Sequence, residues 1–263
     1  MRILSQNLVL HGRRGLRTFG LVGLAFASGS CAKFPSGSGA GNFTAITISF
    51  RVAGVINPNY IYDVAITASP SANPAIALAP VPVINSNNPN GRVAGSPNFF
   101  IEYPGLTGPT SAFPFTLNRF ALSTEVKNPN DPTNPVNLAV WAPTTRGQIF
   151  NFSTPATSVD QSTLTFTVYT NMLADTDLEA QALQSLQVNI LTMTRVATGS
   201  GPRVIDALGD SRTVSGLNQF LVVNLHSTVP YTNISGFEPT GDTFGGTDPD
   251  VDIVDYTITV TPP

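Results

Sequence analysis

Thr163-Leu164-Thr165-Phe166-Thr167-Val168-Tyr169 alternates polar and apolar residues without a break. A period of two places Leu164, Phe166 and Val168 on one face of an extended chain and the threonines on the other, as in a strand half buried against a core. The same rhythm opens the ordered part of the chain at residues 43–52, where Ile46, Ile48, Phe50 and Val52 alternate with Thr47, Ser49 and Arg51. It closes the chain at 252–261, where Val254, Tyr256, Ile258 and Val260 recur. Between these lie runs of strand character at 60–66, 99–103, 119–126, 138–141, 148–152, 188–194 and 220–225. Asn57-Pro58-Asn59 separates the first two runs and predicts a hairpin. The stretches 86–91 (SNNPNG) and 128–135 (NPNDPTNP) are dense in turn residues, and Pro114 and Pro143 predict strand edges or ends, because proline cannot donate to a central ladder.

The rhythm breaks once. Thr176-Asp177-Leu178-Glu179 has the form of a capping box, with Thr176 capping the first turn and Glu179 reaching back. Leu178, Ala182, Leu183 and Leu186 then share a helical face, so one short helix is predicted within 176–187. The fold class follows: all-β, an antiparallel β-sandwich or jelly roll with one short helix. It occupies 43–263 as one domain, with 151–161 as the place to divide it if there are two. With 22 Gly, 22 Pro, 16 Phe and 11% charged residues, the surface polarity has to come from Ser, Thr and Asn.

The N-terminus carries an address. Arg2, Arg13, Arg14 and Arg17 precede the apolar run TFGLVGLAFA at 18–27, the small residues Ser28-Gly29-Ser30 and then Cys31, the one cysteine in the chain. A charged start, a short apolar middle and small residues at a cleavage point make a secretory signal. The run is about half the ~20 residues needed to span a bilayer. The segment resembles a bacterial lipoprotein signal, with Gly29 and Ser30 before the lipidated cysteine and Ser28 where Leu is common. That resemblance implies removal of residues 1–30 and a diacylglyceryl group on Cys31. A small uncharged residue after the cysteine, here Ala32, implies the outer membrane or cell surface. Ala25-Phe26-Ala27 also fits cleavage before Ser28, which would leave a periplasmic or secreted protein with a free thiol. Arg13-Arg14-Gly15-Leu16-Arg17 resembles a twin-arginine export signal, which implies export in the folded state. Residues 31–42 contain PSGSGAG and read as a flexible tether.

Beyond Cys31, nine basic residues face sixteen acidic ones, a net charge of −7. That balance argues against nucleic acid and against electrostatic docking on anionic lipid. The sequence offers four kinds of site. Asp248, Asp250 and Asp252, with Asp242 and Asp255 nearby, follow a D-x-D-x-D spacing in a Gly/Pro-rich stretch, similar to the front of a calcium loop but without its Gly and terminal Glu. The competing reading is a solvated acidic turn before the last strand. Calcium is the one cofactor this pattern suggests. Trp141, helped by Tyr60, Tyr62 or Tyr103, could stack on a sugar or pack the core. Glu102 and Glu125 could supply the two carboxylates of a glycosidase. His226 is the one histidine after Cys31, and no G-x-S-x-G surrounds any serine, so a Ser-His-Asp set is not expected. The chain therefore reads as a non-catalytic binding or structural module of the cell envelope, with membrane contact through lipid and an envelope protein or glycan as partner. A hydrolase using paired carboxylates is the alternative.

Overall fold

A computed structural model of the protein describes residues 42–82, 93–95, 97–104, 112, 114–123, 140–149, 152–154, 161–195, 204–213, 215–216, 219–234, 236–244 and 248–263. The chain divides into the units Met1–Cys31 and Ala32–Pro263, and only the second contains described residues. Cys31 and Glu125 lie outside the described residues.

The strands among the described residues are β1 (Ala45–Val52), β2 (Tyr60–Ser69), β3 (Val81–Pro82), β4 (Val93–Ala94), β5 (Phe99–Tyr103), β6 (Thr116–Ser123), β7 (Val140–Gln148), β8 (Phe152–Ser153), β9 (Thr163–Tyr169), β10 (Ser185–Thr194), β11 (Val204–Ala207), β12 (Leu221–Asn224), β13 (Tyr231–Thr232) and β14 (Ile253–Thr261). One short helix, α1 (Asp177–Ala182), lies between β9 and β10. Sheet one runs β13-β14-β1-β9-β8. Sheet two runs β11-β10-β2-β5-β6-β7, with β12 also on β10, and β3 pairs β4 separately. Every pairing is antiparallel. The fold is an all-β antiparallel sandwich.

The alternating residues make the core. Ile48 lies between Ile258 and Phe166 in the ladder, and Phe50 between Tyr256 and Leu164. In sheet two, Val64 lies between Ile190 and Ile101. All nine belong to one buried cluster that draws on both sheets and runs from Ile46 to Val260. The other face of sheet one carries hydroxyls: Thr47 bonds Thr167 at 2.9 Å and Ser49 bonds Thr165 at 2.8 Å, cross-strand pairs worth roughly 0.2–1 kcal/mol each. Sheet two is covered on both faces at its centre. The amides of Gln187 and Asn189 donate to the carbonyls of Ala75 and Pro80, and the Thr67 hydroxyl donates to that of Leu78, so the 70–82 segment is held over the outer face.

The structure corrects three local expectations. The runs at 43–52 and 60–66 do not form a hairpin: β1 lies in sheet one and β2 in sheet two, and the turn at Asn57–Asn59 carries the chain across the sandwich. Both strands keep their period of two, which fixes a face but not a partner. One strand, β7, reaches from the run at 138–141 to that at 148–152, taking in Val140, Trp141 and Gln148 with Pro143 inside it, while Phe152 begins β8. Among the described residues β7 is the edge of sheet two, the place in a sheet where proline is tolerated. The helix is six residues long, shorter than its pattern allowed. Its cap forms as expected: Glu179 N donates to Thr176 Oγ1 at 3.2 Å, and Glu179 Oε2 accepts from Asp175 N at 2.9 Å. Yet Leu178 is 78% exposed, while Ala180 and Leu183 are buried. In fewer than two turns the i, i+3 pair nearest the following strand faces inward, and Leu186 already belongs to β10.

Candidate functional site

The aspartates of the D-x-D-x-D stretch part company. Asp248 caps a single 3-10 turn at Pro249–Val251, accepting from Asp250 N at 3.0 Å and from the Tyr60 hydroxyl. Asp250 accepts from Val55 N at 2.9 Å and from Asn57 Nδ2 at 3.1 Å. The Tyr62 hydroxyl accepts from Asn57 N and donates to the Asp250 carbonyl, both at 2.8 Å. These two aspartates therefore fasten the approach to β14 onto the connection between β1 and β2, and they do not join Asp252.

Asp252 turns the other way. Both its oxygens accept from Gly241 N at 2.9 Å. Beside it stand Asp206, on β11, and Asp242, and one oxygen from each of the three lies within 4.8 Å of the others. Asp206 accepts from Ala207 N at 3.0 Å and from Ile253 N at 2.7 Å. The second bond joins sheet two to the first residue of β14 in sheet one, so the cluster sits on the seam between the sheets. Asp242 Oδ2 accepts from Ser211 N at 2.7 Å, and Glu238 Oε2 accepts from Gly209 N at 2.7 Å. Asp206, Glu238, Asp242 and Asp252 are 1%, 2%, 0% and 4% exposed. Two of their buried oxygens, Asp242 Oδ1 and Glu238 Oε1, have no hydrogen-bond partner.

Local sequence explains the convergence. Gly209 has φ +97°, and a Cβ there would meet the Gly216 carbonyl oxygen at 2.4 Å, so only glycine turns the chain sharply enough to aim its N–H at Glu238. Asn233 holds the opposite loop: its amide donates to the carbonyls of Glu238 at 2.9 Å and Val254 at 3.1 Å, and its oxygen accepts from Glu238 N at 3.0 Å. Among the described residues the cation acting on the cluster is Arg212, exposed and paired with Asp210 at 2.8 Å.

Burial and mutual repulsion set the electrostatics. Burial, then the charge of Asp206, pushes the Glu238 carboxyl up to about 11. Burial, with the charge of Asp252, pushes Asp242 up to about 6. Burial, then Asp242, holds Asp206 well above the usual carboxylate range. The folded chain thus retains protons that the unfolded chain releases above about pH 4, and stability falls wherever the folded state binds more. Asp210, held low by its hydrogen bond from Arg212, is ionised throughout that window and adds no slope. In chelator, the melting midpoint is therefore expected to be higher at pH 5 than at pH 8. A midpoint that rises over this interval contradicts that electrostatic picture.

The other candidate residues are scattered. Trp141 lies on the edge strand β7 opposite Leu122, and its side chain is outside the described residues. Tyr62 and Tyr103 pack in the core with ring centroids 6.2 Å apart, and Tyr60 is bonded to Asp248. Glu102 on β5 lies opposite Asp63 on β2, which is fully buried. His226 is exposed just after β12, where its N–H donates to Asn224 Oδ1 at 2.8 Å. Sequence reasoning missed Asp206 and Glu238. Asp206 had a signal: it is one charge inside the apolar run Val204-Ile205-Asp206-Ala207-Leu208, where an ionised residue survives only with partners. Glu238 had none. Comparison with protein-family models, with curated proteins and with solved structures finds no match.

Proposed function

We propose that this chain is an exported cell-envelope lipoprotein, anchored by lipid on Cys31 and displaying its β-sandwich as a non-catalytic binding or structural module. The observation that carries the reading is the order of residues 2–31: arginines, a short apolar run, small residues, then the one cysteine. No helix among the described residues is long and apolar enough to cross a membrane. The tether at 31–42 would hold the sandwich off the bilayer.

The non-catalytic half of the proposal is supported by the burial of the aspartate cluster, which is at most 4% exposed and out of reach of a polymeric substrate. The hydroxyl face of sheet one suits an uncharged partner, a glycan or another envelope protein. For the hydrolase alternative, Glu102 faces Asp63 across β2 and β5 among the described residues. Asp63 is fully buried, so only Glu102 reaches solvent. Cells grown with an alkyne-tagged fatty acid test the anchor: the protein should carry the tag, and untagged protein in the medium would overturn it. Turnover of glycoside or ester substrates that Glu102→Gln abolishes would overturn the non-catalytic reading.

A further inference from the structure

Burying acidic groups without compensation is costly. Taking a carboxylate out of water costs several kcal/mol unless it is paired, hydrogen-bonded or bound to a metal. Here four carboxyl groups gather at the seam between the sheets, and among the described residues the cation acting on them, Arg212, is already engaged by Asp210 at the surface. The main-chain N–H groups of Ala207, Gly209, Ser211, Gly241 and Ile253 hold the four in place. That is how ligands are oriented around a metal by groups that do not touch it.

Asp242 Oδ1 and Glu238 Oε1 have no hydrogen-bond partner, although both residues are at least 98% buried. Buried polar atoms are nearly always satisfied, and each exception asks for an unseen partner. A partner that satisfies anionic oxygens from several segments at once is a cation.

We infer that Asp206, Asp242 and Asp252, with Glu238 beside them, form a calcium site that clamps β11, the 233–242 loop and the start of β14 together. Its donors are all oxygen, with no histidine or cysteine among them, which selects against zinc and copper. An ionised carboxylate oxygen has two lone pairs, so those that accept an N–H keep one for the metal. The three aspartates offer up to six oxygens, the lower end of the six to eight that calcium takes in flexible geometry. Magnesium wants a tight octahedron and keeps several waters, which a site this dry does not favour. Calcium would neutralise charge that the fold otherwise leaves in self-repulsion. Extracellular modules bind calcium with Kd of about 10⁻⁴–10⁻³ M, a range matched to exported proteins. The inference does not rest on the lipid anchor.

The test is calorimetric and thermal titration of the purified protein with CaCl₂ after chelation, its freedom from metal verified by elemental analysis. Wild type should bind one calcium, and its melting midpoint should rise by roughly 5–10 °C at about 100 times Kd. MgCl₂ should give a smaller shift. Asp242→Asn should lower calcium affinity by about 100-fold or more. In chelator that variant should melt no lower than wild type, because it removes an uncompensated buried charge. This reversal of sign separates a lost ligand from a damaged fold, and Glu238→Gln serves if Asp242→Asn fails to fold. A metal-free wild type with no heat of binding and an unchanged midpoint up to ~5 mM CaCl₂, beyond the weakest range of such modules, would overturn the site. So would an equal response to magnesium, or calcium affinity unchanged in both variants.

Discussion

Phe166→Ala is expected to lower the thermal midpoint by roughly 6–20 °C. Phe166 is 1% exposed at the middle of β9, with Ile48 on one side of it in the ladder and Phe152 on the other. Its ring lies 5.2 Å from that of Phe115, which precedes β6 of the opposite sheet. Phe115 in turn packs on Tyr103 at 5.1 Å and Phe152 at 5.7 Å. Removing Phe166 deletes one of the two aromatic contacts that Phe115 makes with the opposite sheet and leaves a void that these rigid rings cannot close. Buried Phe→Ala substitutions cost about 3–5 kcal/mol, a large share of the ~5–15 kcal/mol that holds a domain folded. Each kcal/mol moves the midpoint of a domain this size by about 2–4 °C. Thr165→Ala, one residue away on the outer face, loses one hydroxyl contact with Ser49 and should cost no more than about 1 kcal/mol. Thermal denaturation of both variants checks the prediction. Equal losses would mean that β9 does not divide a core face from a solvent face.

Cys31→Ser is expected to move the protein wholly from the membrane fraction to the soluble fraction. Each buried methylene of an acyl chain contributes about 0.8 kcal/mol to membrane binding, and two chains make attachment stable where one is only marginal. The diacylglyceryl group proposed on Cys31 would supply two chains at once. Serine keeps the size and polarity of the site but offers no thiolate to alkylate, so the whole anchor goes with one atom. The mature chain carries nine basic against sixteen acidic residues, so charge cannot substitute for lipid on an anionic surface. Fractionation of cells expressing each form, followed by immunoblotting, reads the result. A Cys31→Ser protein that stays with the membrane would place the attachment elsewhere.

Strands were legible where one face meets the core and the other meets water. β1, β9 and β14 alternate for that reason, and their apolar residues are the buried ones. β10 was less legible, because all but its last residue is buried: its Gln187, Asn189 and Thr192 look like solvent positions but are covered by other segments of the chain. Partner choice was not legible at all. The turn at Asn57–Asn59 fits a hairpin as well as a crossover, and only the competition of β9 and β14 for the two edges of β1 decides it. The acidic cluster was half legible. Spacing pointed to the aspartates at 248–252, but spacing in a loop does not say which way a carboxylate turns. Asp252 was included; Asp206 and Glu238 reach the seam from segments 46 and 14 residues away in sequence, brought there by glycine turns and Asn233.

The most direct test of the anchored-lipoprotein account is the intact mass of the protein recovered from the envelope fraction of its own host. The account predicts the mass of Cys31 to Pro263 plus its lipid. A mass equal to Ser28 to Pro263 with no lipid would contradict it and would make this a secreted or periplasmic protein with an incidental thiol.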